Sequence, residues 1–196
     1  IEEARADLFG LYYIADRKLV DLGLLPDKEA YRSQYYTYLM NGALTQCVRI
    51  KPGHDIEEAH MRNRALIANW VLAHAEGAAE IVEKDGKHYL SVSDYPALRQ
   101  LFAKLLAEIQ RIKSEGDYAA AEHLVENYGV KIDPAIHQEI RERYDQLNIA
   151  PYKGFINPKF KLVKDAKGKV SDVQIDYTES YSEQMLRYSH EYATLI

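Results

Sequence analysis

One cysteine, Cys47, stands in the 196 residues, so no intrachain disulfide framework is possible and a reducing compartment suits the chain. No apolar run reaches the roughly 20 residues that a membrane-spanning helix needs. Neither sign of charge dominates: 25 basic and 30 acidic residues leave a net −5, which argues against nucleic acid or an anionic membrane as partner. Phenylalanine is scarce, at four residues against 16 tyrosines. Tyrosine combines packing area with a hydroxyl, which suits half-wet surfaces such as a cleft or a domain interface. Local signatures of catalysis are also missing, since HExxH, CxxC, GxSxG and GxxxxGK[ST] do not occur. What is present is ordinary for a globular protein, 47% hydrophobic and 28% charged residues, with enough chain for one domain or one domain plus an extension.

Periodicity makes most of the chain helical. Ala4, Leu8, Leu11, Tyr12, Ala15 and Leu19 recur at helical spacing and predict a helix over 4–22, stopped at Gly23. A Tyr- and Leu-rich pattern predicts a second over 27–48, broken by Lys51-Pro52-Gly53. Asp55 and Glu58 have capping-box spacing for a third, running to about Glu76. Between 79 and 92 the period changes, and Asp85-Gly86 between two short runs signals a hairpin. Helices are expected again over 95–114, from Gly116-Asp117 to Tyr128-Gly129, and from Asp133-Pro134 to about Leu147. The breaker Ala150–Gly154 marks a boundary, giving segments 1–149 and 150–196. The second carries a hairpin (160–163 with 170–177) and a last helix over 180–193. The fold class is mainly α with two small β-hairpins.

Two constellations stand at the edges of these apolar stripes. Glu2, Glu3 and Asp7 open the first helix, and at 100° per residue Glu3 and Asp7 share a stripe beside Ala4, Leu8 and Leu11 while Glu2 points elsewhere. Two such carboxylates are either a metal or acid–base site or a solvated rim, and on helices the rim is the commoner outcome. His60 and Arg64, one turn apart beside Met61, Ala65, Ala68 and Leu72, have the chemistry to polarise a carbonyl or bind a carboxylate. Their spacing alone favours a partly buried histidine bonded to a carbonyl, with the arginine in a structural ion pair.

In this order, these segments resemble the C-terminal part of the dipeptidyl peptidase III family of zinc metallopeptidases, as found in bacterial relatives. The stretches that carry the resemblance are Glu2-Glu3-Ala4-Arg5-Ala6-Asp7, with Ala4 where cysteine is common, and Glu57-Glu58-Ala59-His60-Met61-Arg62-Asn63-Arg64. Glu115-Gly116-Asp117-Tyr118-Ala119 with Tyr128, and Ser171-Asp172-Val173-Gln174 through Tyr177, complete the set. The resemblance implies the helical catalytic lobe of a two-lobed zinc peptidase, followed by a hairpin-and-helix extension packing toward a second lobe. It implies Glu3 as a zinc ligand, with Glu2 and Asp7 orienting zinc-binding histidines. His60 would act at the scissile peptide or its oxyanion, supported by Arg64. Lys167 falls where the family places an arginine for the peptide's terminal carboxylate; lysine keeps the charge and loses the bidentate fork.

The implied reaction is zinc-dependent release of N-terminal dipeptides from short peptides, in the cytoplasm. The family's HExxGH motif is absent from these residues, so the chain is expected to be a piece whose other ligands lie upstream in the same protein. Alone it would hold no zinc tightly and cleave nothing. The competing readings are a pseudoenzyme region of a Nudix-type fusion and a helical interaction module.

Overall fold

The computed structural model describes residues 1–148 and 156–193, and the chain divides into two compact units, Ile1–Asn148 and Ile149–Ile196. The breaker expected at Ala150–Gly154 lies outside the described residues. The architecture is mainly α with two antiparallel two-stranded hairpins, as the periodicity predicts. No helix among the described residues is long and apolar enough to cross a membrane.

In the first unit α1 spans Glu2–Ile14 and buries Ala4, Leu8 and Leu11. The helix expected through residue 22 is interrupted, because Asp16 leaves the helical conformation and caps a separate five-residue α2, Arg17–Asp21, its side chain accepting from the Lys18 N–H at 2.9 Å. An N-cap satisfies donors that a continuous helix would otherwise pair, so a good cap inside an apolar pattern restarts the helix. The second pattern likewise divides, into α3 (Tyr31–Ala43) and a short 3₁₀ turn over Thr45–Arg49.

Helix α4 spans Ala59–Ala73, and its start departs from the sequence expectation. Glu58 is itself the N-cap: its two carboxylate oxygens accept from the backbone N–H groups of His60 (2.9 Å) and Met61 (2.8 Å). Asp55 instead takes Lys131 at 2.6 Å, in an exposed ion pair. The cap carboxyl is held below its usual range, first by the His60 N–H, with the Met61 N–H and the charges of His60 and Arg64 adding to it.

Strands β1 (Ala79–Lys84) and β2 (Lys87–Val92) pair from Ala79↔Val92 to Lys84↔Lys87. Asp85 and Gly86 both have positive φ, 53° and 69°, the turn that Asp-Gly favours between twisted strands. Helix α5 (Tyr95–Glu115) has Asp94 as N-cap, Pro96 in its first turn and left-handed Gly116 beyond its end. It buries Leu98, Phe102, Leu105, Ile109 and Ile112, one continuous face at helical spacing. Helix α6 (Tyr118–Val125) runs into a π-helical turn over Glu126–Val130, and α7 spans Pro134–Gln146 behind its cap Asp133. The core is the meeting of α1, α3, α4 and α5. Tyr35, fully buried, sets its ring edge-on to Phe102 at 4.8 Å.

Two glycines let backbone approach α4. A Cβ on Gly42 of α3 would overlap the carbonyl oxygen of Arg64 and stand 2.7 Å from Cβ of Ala68. A Cβ on Gly129, in the π-helical turn, would stand 3.0 Å from the carbonyl oxygen of Arg62.

The second unit pairs β3 (Lys159–Lys164) with β4 (Val170–Asp176), with a register shift between Val163 and Lys164. Helix α8 (Tyr181–Tyr192) opens with a full capping box between Ser180 and Glu183. Buried Gln184 ties α8 to the stretch before β3, accepting from the Asn157 N–H (2.8 Å) and donating to the Asn157 carbonyl (2.7 Å). Arg187 grips both oxygens of Glu179, at 2.8 and 2.9 Å.

Two outcomes follow for the fold. Alanine is the better helix former by up to about 1 kcal/mol, so at an open helical site Gly→Ala stabilises. Gly42→Ala is expected to destabilise the 196-residue chain by about 1–3 kcal/mol in denaturant unfolding, because the overlapped atom is backbone and cannot swing away; a stabilised variant would refute the close approach. The second concerns Glu179, whose carboxyl Arg187 holds down to about 2 from 4.5. A depressed acid contributes stability that is complete above its unfolded value and lost as pH falls through its folded one. Carboxyl NMR is expected to show Glu179 still ionised at about pH 3.5, where a free glutamate is mostly protonated; a midpoint at the ordinary value would show that the Arg187 pair does not form.

Candidate functional site

Burial of Ala4, Leu8 and Leu11 fixes how α1 is turned, and this decides where its acids go. Glu3 and Asp7, each one residue before a buried position, emerge on the side of α1 that meets α4. Glu3 Oε2 lies 3.3 Å from His60 Nδ1, and both side chains are about half exposed, 49% and 59%. One turn further along both helices, Asp7 Oδ2 accepts from Asn63 Nδ2 at 2.7 Å. Since 3 meets 60 and 7 meets 63, the two helices run side by side in the same sense, and the pairs form successive layers. The outer layer is wet. The inner one is half-buried and includes α3, whose Tyr38 hydroxyl donates to the same Asp7 oxygen at 2.7 Å.

The electrostatics follow this layering. The Tyr38 hydroxyl is pushed well above the usual tyrosine range, first by burial and then because it donates to Asp7. Arg64 opposes the rise, its positive charge favouring a phenolate. Half-buried Arg64 forms no ion pair among the described residues. Asn63 is 6% exposed, and its Oδ1 has no hydrogen-bond partner among the described residues. Leaving a buried acceptor unpaired costs on the order of 1–3 kcal/mol.

The sequence-predicted residues therefore divide. Glu3, Asp7, His60 and Arg64 come together where α1 and α4 meet. Glu2 does not join them: it pairs with Arg5 at 2.5 Å and with Lys113 of α5. Lys167 belongs to the second unit, in the turn between β3 and β4, where its N–H donates to Asp165 Oδ1 at 2.8 Å. The arrangement that spacing favours for the α4 pair, a carbonyl-bonded histidine with an ion-paired arginine, is not the one found. Tyr38 and Asn63 were not legible as site residues. Asn63 left one signal, a polar residue on an otherwise apolar helical face; Tyr38 is one tyrosine among many and left none.

A half-exposed carboxylate against an imidazole is a donor pair for a metal or for proton transfer. By itself it does not make a metal centre: no group of three or more His, Cys, Asp or Glu among the described residues is placed to hold an ion. A cavity of about 580 Å³ in this unit lies among Ile14, Asp16, Val20, Leu25 and Tyr31 and includes none of the site residues.

No curated protein matches the chain. A family model does, that of peptidase family M49, over residues 1–186. The match takes in α1 with Glu3 and Asp7, α4 with His60 and Arg64, and the β3–β4 hairpin, and on that extent the chain belongs to peptidase family M49.

Proposed function

We propose that the chain supplies one side of a zinc peptidase site that removes dipeptides from the N-termini of short peptides. Membership of peptidase family M49 gives the reaction class, hydrolysis of a peptide bond. The observation that carries the finer reading is the Glu3–His60 contact, 3.3 Å between two helices with Asp7 one layer beneath.

The donor set fits part of what zinc needs. Catalytic zinc takes three protein ligands and keeps a fourth position for water or substrate. Glu3 offers one hard carboxylate, half exposed and unclaimed by any lysine or arginine among the described residues. No HExxH or HExxGH occurs within these 196 residues, so Glu3 would be one ligand of a set that they do not complete. Zinc, when bound, polarises the scissile carbonyl and makes its water a nucleophile near neutral pH.

The chain's own residues do the rest. With Nδ1 directed at Glu3, His60 presents its other ring nitrogen outward, where a proton on Nε2 would donate to the oxygen that gains charge as the peptide carbonyl is attacked. Arg64, in no ion pair among the described residues, adds a positive charge one turn further along α4. Asp7 offers a held carboxylate to the N–H of a ligating histidine, whereas Glu2, engaged by Arg5 and Lys113, is turned away from it. Short peptides are the substrate and the reducing cytoplasm is the setting, consistent with a single cysteine whose thiol burial pushes up to about 11.

In the full-length protein, Glu3→Ala is expected to weaken zinc binding at least tenfold and abolish dipeptide release. His60→Ala is expected to leave zinc in place and lower kcat by about 10²–10³-fold, the loss seen when an oxyanion donor is removed. Unchanged turnover in both variants would assign this region to interaction rather than catalysis. The isolated 196-residue chain is expected to bind no zinc tightly in calorimetry and to release no dipeptide. Release from it that depends on Glu3 would overturn the incomplete-site reading.

A further inference from the structure

Asp7 receives two hydrogen bonds, and both fall on one oxygen. Tyr38 donates to Oδ2 from α3 and Asn63 donates to Oδ2 from α4, each at 2.7 Å. Its Oδ1 takes no donor among the described residues. Two short charge-assisted bonds from different helices fix both χ angles of a side chain that would otherwise rotate freely on a helix surface. Because Asp7 is a carboxylate, the bond from Asn63 must come from the amide nitrogen, which leaves the Asn63 oxygen as the buried unpaired atom.

That arrangement is poor value as a stability device. An apolar side chain of the same size at 63 would pack the α4 face without stranding an acceptor, and a phenylalanine at 38 would bury the same ring without a hydroxyl. What the pair does supply is direction: it immobilises one carboxylate oxygen and leaves the other free at a known angle. We infer that Tyr38 and Asn63 are positioning residues, which lock Asp7 so that its free Oδ1 receives the N–H of a metal-ligating imidazole. This rests on the reading of Asp7 given above. It adds that α3, which holds no ligand, helps set zinc affinity through a tyrosine.

The test is zinc affinity of the full-length protein, measured by chelator competition, together with Tm of the metal-free protein. Asp7→Ala should raise the zinc Kd by about 10–100-fold, and Tyr38→Phe and Asn63→Leu each by about tenfold. Metal-free Tm should change little, since Tyr38→Phe keeps the ring, while Asn63→Leu removes a favourable bond and a stranded acceptor together. In an Asp7→Ala background Tyr38→Phe should have no further effect on zinc Kd, because the residue it acts through is gone; a purely structural role predicts the same loss in both backgrounds. If Asp7→Ala weakens zinc but Tyr38→Phe and Asn63→Leu leave it within about twofold, or if their effects persist without Asp7, this inference fails and the role of Asp7 stands. If Asp7→Ala itself leaves zinc affinity unchanged, both fail.

Discussion

Helix α4 is held where backbone touches backbone. On one side Gly42 of α3 comes so near the Arg64 carbonyl that no Cβ fits between them; on the other Gly129 comes nearly as near the carbonyl of Arg62. Two residues apart on a helix means about 200° apart around its axis, so these contacts press from roughly opposite sides. They also fall at the level of His60, Asn63 and Arg64. The distances between α1, α3 and α4, and with them every hydrogen bond of the inner layer, depend on this spacing. A shift of about 1 Å in α3 away from α1 would stretch the 2.7 Å bond from Tyr38 to Asp7 beyond hydrogen-bond range.

Around that frame the polar groups are sorted by wetness. Glu3 and His60 sit where water reaches them, and their contact is loose, at 3.3 Å. Asp7, Asn63 and Tyr38 sit one layer in, where the surroundings are less polarisable by solvent and a hydrogen bond fixes geometry more firmly. The proposed site would use this division: groups that meet the reaction must exchange partners, and groups that aim them must not. Glu2, only one residue from Glu3, is excluded from both layers by its turn about α1 and takes a surface role against Arg5 and Lys113.

Most of the architecture was legible because it rests on local rules. The Asp85-Gly86 turn and the Asp133-Pro134 helix start are each written in a few adjacent residues. The misread boundaries are places where two local signals compete. Asp16 breaks a periodic run that has apolar residues on both sides of it. Glu58 acts as the cap where Asp55 had the expected spacing, because Asp55 finds Lys131, 76 residues away. The site was half visible for the same reason. Spacing put Glu3 and Asp7 on one stripe and His60 and Arg64 on another but favoured a solvated rim and a carbonyl-bonded histidine; the family resemblance singled them out, and that residue 3 meets 60 and 7 meets 63 is tertiary information. Tyr38 lay beyond sequence reasoning altogether, since the tyrosines of this chain range from fully buried Tyr35 to Tyr118 at 76% exposed, and composition does not separate them.

The grip on α4 also limits how the site can move. Gly42 sits in the notch between the Arg64 carbonyl and the Ala68 side chain, one turn apart on α4, and Gly129 faces Arg62 and Leu66 in the same way. Sliding α4 along its axis would drive one edge of each notch into a glycine, and turning it would press one carbonyl home as the other swung clear. The helix is therefore keyed in register against both neighbours. Adjustment around His60, Asn63 and Arg64 falls to side-chain rotation rather than to movement of the helix that carries them.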